Sequence, residues 1–352
     1  NDVINYVNGI GGTERDTLKE ASAIFDSART QVLNLLETRR SEMYLLFDSM
    51  ENYPVKNTAF SMVLCGFFQA LRKVNYEAPL INITFCVPEE IEPFLNANSA
   101  NVLKDFSSSH RIQWRPVDLL KIVAHRYRLC ICEHDEEYFK QIDDLNFDDR
   151  DDIHKLFSRM LPEDITNGLK EAEDTLAYIL RHTQLLPRHI IAIFNKILSR
   201  GFASSGGFRS IQEEAVLDGI GEVEGMIAEQ ILIPYQRIYP NLIEACSAIL
   251  PELDPICGYS DLRRIESRFK NRVDEGCVDI WQTLYEMGIL GKVLPNTSVE
   301  KPKYIRSSRY CLGEFKFNST ATRIGMAQDA EYCFHPVFSR YFNMMRRDLD
   351  DK

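Results

Sequence analysis

The chain has 352 residues, with 41 Lys and Arg against 52 Asp and Glu, a formal charge of −11, and 45% hydrophobic residues. Its 17 Gly, 14 Pro and 11% aromatic content exclude collagen-like, low-complexity and wholly disordered chains. The length allows about two or three domains, and no apolar run approaches the ~20 residues of a membrane helix, so a soluble, cytoplasmic protein with no membrane partner is expected.

In chain order, the first periodic signal is Leu18, Ala21, Phe25, Ala28, Val32 and Leu35. Its alternating three- and four-residue spacing places one apolar stripe on a helix. The burst MYLLF at 43–47, closed by Asp48, reads as a buried parallel strand. Phe60, Val63, Phe67, Leu71 and Val74 mark a second amphipathic helix. LINITFCV at 80–87 is a second strand ended by Pro88, and RIQW at 111–114 is a short third. Pro116 then opens a helix with Leu119, Leu120, Ile122, Val123 and Tyr127 on its apolar side. This alternation predicts a parallel sheet with crossover helices.

The stretch 133–152 carries ten acids against Lys140 and Arg150, which is −8 of the −11, and reads as a solvated linker. The near-neutral remainder offers no basic footprint for long-range attraction of DNA. Nine scattered cysteines in a chain this large read as reduced thiols. Helices are predicted at 153–160, 169–182, 187–199 and 211–233, with GFASSGGFR at 201–209 as a flexible linker. The last block has helical patterns at 242–250, 260–269 and 278–287, β-prone runs at 304–317 and 330–334, and a terminal helix at 336–347. Three helices followed by a β-wing is winged-helix order. The predicted class is α/β then mostly α, with domains at 1–132, 153–228 and 229–352 around the acidic linker.

The informative run is MYLLFDSMENYPV at 43–55. An acid at the C-terminal end of a buried strand lies where α/β sheets place their ligands. MYLLFDSMENYPV resembles the Walker B segment of signal-transducing (STAND-type) P-loop ATPases. LINITFCVPEEI then falls where their sensor strand would lie. RHTQLLPRHIIAIFN at 181–195 is similar to the helical-lid segment whose Leu-Pro pair packs on nucleotide, and YCFHPVFSRYF at 332–342 to the histidine that ends their winged helix. The resemblance implies a partial P-loop core, a helical lid and a winged helix, with ATP and Mg²⁺ as cofactors only together with an upstream segment that carries the phosphate loop. Asp48 would hold Mg²⁺ through water, Glu51 would activate the hydrolytic water, Pro187 would pack on the nucleotide with Arg188 as a phosphate-side cation, and His335 would report the nucleotide state. Two positions depart from the family pattern: the sensor strand ends in Val87-Pro88-Glu89 without Arg, and Pro336 follows His335 in place of Asp.

No G-x-x-x-x-G-K-[ST] stretch occurs in these residues; the only Gly-Lys pair is Gly291-Lys292, followed by Val293. The family places that loop before the Walker B strand, and the chain opens with Asn1. The expectation is therefore a C-terminal part of a longer ATPase, with its upstream part as partner. LINITFCV and RIQW are expected to flank a slot filled from outside the chain, and this part alone should show negligible ATPase activity. The implied function is a nucleotide-dependent switch in signalling or defence, whose opened winged helix permits oligomerisation. The rival reading is a non-catalytic interaction or DNA-binding winged-helix protein on a vestigial scaffold, with Arg306, Arg309 and Lys316 as candidate phosphate contacts.

Overall fold

The computed structural model describes residues 12–48, 58–88, 110–166, 170, 172–270, 279–294, 313–319 and 323–344. The chain is mostly helical with small sheets, in an α/β then α order. It divides into two units, Asn1–Arg111 and Ile112–Lys352.

The first unit contains α1 (Gly12–Arg39), β1 (Met43–Phe47), α2 (Thr58–Glu77) and β2 (Ile81–Phe85). β1 and β2 pair in parallel from Met43↔Ile81 to Phe47↔Phe85, as the alternating pattern predicted. Leu36, Ala78 and Ile81 form its small core, with Val32, Val74 and Leu45 packed around them. Aromatic edges join helix to strands, Phe67 on Phe47 at 5.2 Å and Phe68 on Phe85 at 5.0 Å. β1 is not buried on both faces as expected. Tyr44 and Leu46 are 65% and 75% exposed, because a two-stranded sheet covers only the side that meets the helices.

The expected third strand does not form. RIQW is extended chain outside any ladder among the described residues, with Ile112 79% exposed, and it straddles the boundary between the units. A strand exists only where a neighbour takes its backbone groups, and among the described residues RIQW takes neither open edge of the β1–β2 pair.

The second unit begins with α3 (Pro116–His134), α4 (Glu136–Ile142) and α5 (Arg150–Met160). The stretch read as a linker is packed structure instead. Tyr138, Ile142, Leu145 and Phe147 are buried, and the acids between them have structural duties. Asp135 and Asp149 cap α4 and α5 by accepting from Tyr138 N and Asp151 N, and Asp148 pairs with Lys121 at 2.9 Å. The predicted helix at 169–182 is shortened by a hairpin, β3 (Asp164–Thr166) against β4 (Ala172–Asp174), so that α6 spans only Thr175–Arg181.

α7 (Pro187–Ser205) starts on Pro187 and ends on Gly206, whose φ of +70° needs glycine. The stretch 201–209, expected to be flexible, forms the end of α7 through Ser205, and its remainder is held by Phe202 stacked on Phe208, by Tyr127 Oη donating to Phe208 O at 2.8 Å, and by Arg209 on Asp135 at 2.6 Å. α8 (Glu213–Ile238) packs against α7.

α9 (Leu242–Ile249), β5 (Ile256–Gly258), α10 (Tyr259–Arg268), α11 (Ile280–Glu286), β6 (Leu290–Val293), β7 (Gly313–Glu314), β8 (Glu331–Phe334) and α12 (Pro336–Tyr341) complete the chain. The last four strands form one antiparallel sheet ordered β5-β8-β6-β7. One continuous hydrophobic core runs from Leu119 on α3 to Met344 beyond α12. The proposed wing residues Arg306 and Arg309 lie outside the described residues.

The α7–α8 crossing depends on Gly219, where an added Cβ would stand 2.7 Å from Ile197 N. Gly219→Ala is expected to lower stability by about 1–3 kcal/mol through overpacking. Gly225→Ala on the same helix meets nothing within 4 Å and should raise stability by roughly 0.5–1 kcal/mol. Urea denaturation of the two variants checks both signs.

Candidate functional site

A cavity of about 550 Å³ opens in the second unit, within the size range of small-molecule sites. Three layers build it. α3 and α5 supply Val117, Leu120 and Ile153, with Arg115, Arg150 and His154 beside them. The segment from β4 through α6 supplies Asp174, Leu176, Leu180, Arg181, Thr183 and Leu185. The C-terminal region closes it with Phe315, Phe317, Asn318, His335 and Pro336. The lining is mostly apolar, with three arginines, two histidines and one carboxylate as its charged or titratable groups.

The loop after α6 is the joint between these layers. Thr183 Oγ1 donates to Leu180 O at 2.7 Å and accepts from Leu185 N at 3.2 Å. That turn puts Leu185 at φ +51°, an unusual left-handed conformation for a branched side chain. Gln184 Nε2 donates to Met287 O at 2.8 Å and Gly288 O at 3.2 Å. His335 Nε2 donates to Thr183 O at 3.3 Å, 152 residues away in the chain. Neutral His335 therefore presents its Nδ1 lone pair, and that atom is buried without a hydrogen-bond partner. The edges of Phe315, Phe317 and Phe338 stand around the imidazole at 5.6–5.9 Å.

Behind the cavity wall, Arg181 pairs with buried Glu173 at 3.1 Å and lies over the Tyr178 ring at 4.4 Å. Glu224 of α8 is buried between His182 Nε2, at 3.5 Å, and Arg340 Nη1 of α12, at 2.9 Å. Burial raises its carboxyl, and the Arg340 cation opposes that shift. Burial lowers His182 well below its usual range, His335 to about 4 and His189 to about 3. Asp174 is raised by desolvation, against its hydrogen bond from Ala177 N.

The residues singled out from sequence are distributed as follows. His335 is in the cavity wall. Pro187 is half-buried at the first turn of α7 and Arg188 is exposed; the cavity lining takes Leu185 from that segment instead. Asp48 is exposed at the C-terminal end of β1, in the first unit. Glu51 lies outside the described residues. Sequence reasoning missed Arg115, Arg150, Asp174, Arg181, Phe315 and Phe317. Asp174 did carry a signal, since an acid before a helical run marks an N-cap, but nothing in that signal points to a cavity. Among the described residues, no three His, Cys, Asp or Glu side chains cluster as metal ligands, and no helix is long and apolar enough to cross a membrane. No protein-family model, no curated protein and no solved structure matches this chain.

The buried histidines set a pH dependence of stability. Where the folded pKa is lowered from 6.5, the unfolded chain takes up protons first, so stability falls as pH drops from about 6.5 toward the folded value. His335 and His189 are each expected to cost about 2 kcal/mol between pH 7 and pH 5. The raised carboxyls of Glu224 and Asp174 act in the opposite sense over their own range. Urea denaturation of the wild type and His335→Gln at the two pH values should show a shallower loss in the variant.

Proposed function

We propose that this chain is part of a nucleotide-dependent switch, in which the cavity receives an adenine nucleotide and the bound nucleotide holds the C-terminal region onto the preceding helices. The observation that carries this reading is the convergence of two distant segments. The histidine of YCFHPVF and the loop of RHTQLLPR line one cavity, with His335 bonded to Thr183. Each segment was singled out for nucleotide contact from the sequence resemblance alone.

The lining suits the ligand. Leu176, Leu180, Leu185 and the rings of Phe315 and Phe317 offer apolar surface for a base and ribose. Arg115, Arg150 and Arg181 bring guanidinium groups to the lining; Arg115 is paired with Asp118 at 2.8 Å and Arg181 with Glu173 at 3.1 Å, so a phosphate would share them with those carboxylates. His335 lines the cavity, and its Nδ1 is buried without a hydrogen-bond partner, so this side chain has a bond to gain from a ligand that reaches it. The role first given to Pro187 passes to Leu185, and Arg188 has none in the pocket. Helices α9, α10 and α11 with the β5-β8-β6-β7 sheet follow the order of a winged helix, which is the moving part in this reading.

Asp48 and Glu51 keep the roles implied by the family. A carboxylate at the end of a parallel strand suits Mg²⁺, which keeps most of its waters and binds few carboxylates. By that resemblance Asp48 would hold Mg²⁺ through water, to neutralise phosphate charge, and Glu51 would activate the hydrolytic water; both belong to the first unit, and the reading of the cavity rests on the second unit alone. Opening of the C-terminal region would expose surface for oligomerisation or an effector.

The test is equilibrium titration of fluorescent ADP and ATP analogues, with Mg²⁺, into the 352-residue chain. Saturable binding is expected, weakened about tenfold or more by Arg150→Ala and by His335→Gln. A folded chain that shows no saturable binding at millimolar nucleotide overturns the proposal.

A further inference from the structure

The cavity contains a carboxylate that phosphate binding leaves unexplained. Asp174 ends β4 and caps α6, its Oδ1 accepting from Ala177 N at 2.7 Å. It lines the cavity beside Ile153, Leu176 and Ala177. A desolvated carboxylate repels a phosphate and rewards a ligand group that donates a hydrogen bond. Its surroundings do not neutralise it. His154 of α5 faces it favourably, while Asp164, its register partner on β3, faces it unfavourably.

Position along the wall orders the ligand. Asp174 stands at the start of α6, and Thr183, which holds His335, follows its end. Seven residues of helix separate them by roughly 10 Å. This is comparable to the reach from a base's exocyclic amine, through its ribose, to a diphosphate. The anionic end of the ligand therefore belongs at the His335 end and a donor at the Asp174 end.

We propose that Asp174 reads the base of the bound nucleotide by accepting a hydrogen bond from the exocyclic amine of adenine. This rests on the nucleotide reading given above and adds the orientation and identity of the base. Adenine is favoured over guanine by the oxygens available. A carboxylate pairs with guanine through both oxygens, against its adjacent N1 and N2 donors. Asp174 already accepts from Ala177 N in the helix cap, and Leu176 N also donates to the carboxylate, which leaves room for a single amine and not for the paired donors of guanine.

The experiment compares ADP, GDP and purine riboside 5′-diphosphate, which lacks the amine, as competitors of a fluorescent ADP analogue at pH 8. The wild type should bind purine riboside diphosphate and GDP about tenfold or more weakly than ADP. Asp174→Asn keeps the cap, since Asn serves at that position as well as Asp, and its amide can donate to the purine N1. In that variant the gap between ADP and purine riboside diphosphate should close to within about threefold. Equal wild-type binding of ADP and purine riboside diphosphate, or preference for GDP, overturns this proposal while leaving nucleotide binding intact. Absence of ADP binding overturns both.

Discussion

The hydrogen bond from His335 to the Thr183 carbonyl is the constraint on which the second unit's architecture turns. It joins the last described β-strand to a loop 152 residues earlier, and it acts with the Gln184 amide, which reaches Met287 and Gly288 from the next position of the same loop. These are buried backbone carbonyls at helix and turn ends, which must be satisfied or cost about 1–3 kcal/mol each. The loop pays that requirement from side chains rather than from regular structure. Its left-handed turn at Leu185 follows, because only that conformation lets Thr183 and Gln184 face the C-terminal region while α7 departs at Pro187.

Glu224 adds a second tie of a different kind. It sits on α8, which crosses behind the cavity wall, and meets His182 from the loop and Arg340 from α12. Gly221, one turn earlier on α8, leaves room for the guanidinium, where a Cβ would stand 3.0 Å from Nη1. A buried carboxylate paired with one half-solvated cation adds little net stability, because desolvation offsets attraction. Losing Arg340 strands the buried carboxylate, while losing Glu224 leaves a cation that is already largely exposed. The tie therefore fixes where α12 sits more than how firmly the unit folds, and α12 begins at Pro336, directly after His335.

The periodic signals were legible where one face of an element meets a core. β1, α2, β2, α3 and α7 appear close to their predicted positions because alternating or three-and-four spacing reports burial directly. Composition misled where charge does structural duty. The acids of 133–152 were read as solvated because their number is conspicuous, yet Asp135, Asp149 and Asp152 serve as caps and partners between buried Tyr138, Ile142 and Phe147. GFASSGGFR reads as a linker by its glycines, while Phe202 and Phe208 in the same stretch anchor it. RIQW has strand propensity, but propensity cannot supply a neighbour. At the cavity, His335 and the loop of RHTQLLPR were found through their local sequence. Phe315, Asp174 and Arg150 were not, since their meeting is set by packing, with Phe315 more than a hundred residues beyond the other two.

This division of labour has a thermodynamic consequence for any molecule that fills the cavity. Its walls come from helices α3, α5 and α6 on one side and from the C-terminal sheet and α12 on the other. An occupant that touches both sides binds the closed arrangement and not the separated one. It stabilises closure by RT ln(1 + [L]/Kd), about 2.7 kcal/mol at a hundred times Kd. Linkage then requires the converse: whatever pulls the C-terminal region and His335 away from Thr183 lowers affinity by the same factor, since it removes the part of the lining that Phe315, Phe317, Asn318, His335 and Pro336 supply. In the proposed switch, ligand retention and C-terminal docking would be one equilibrium, and His335 would belong to both because it lines the cavity and also bonds the loop through Nε2.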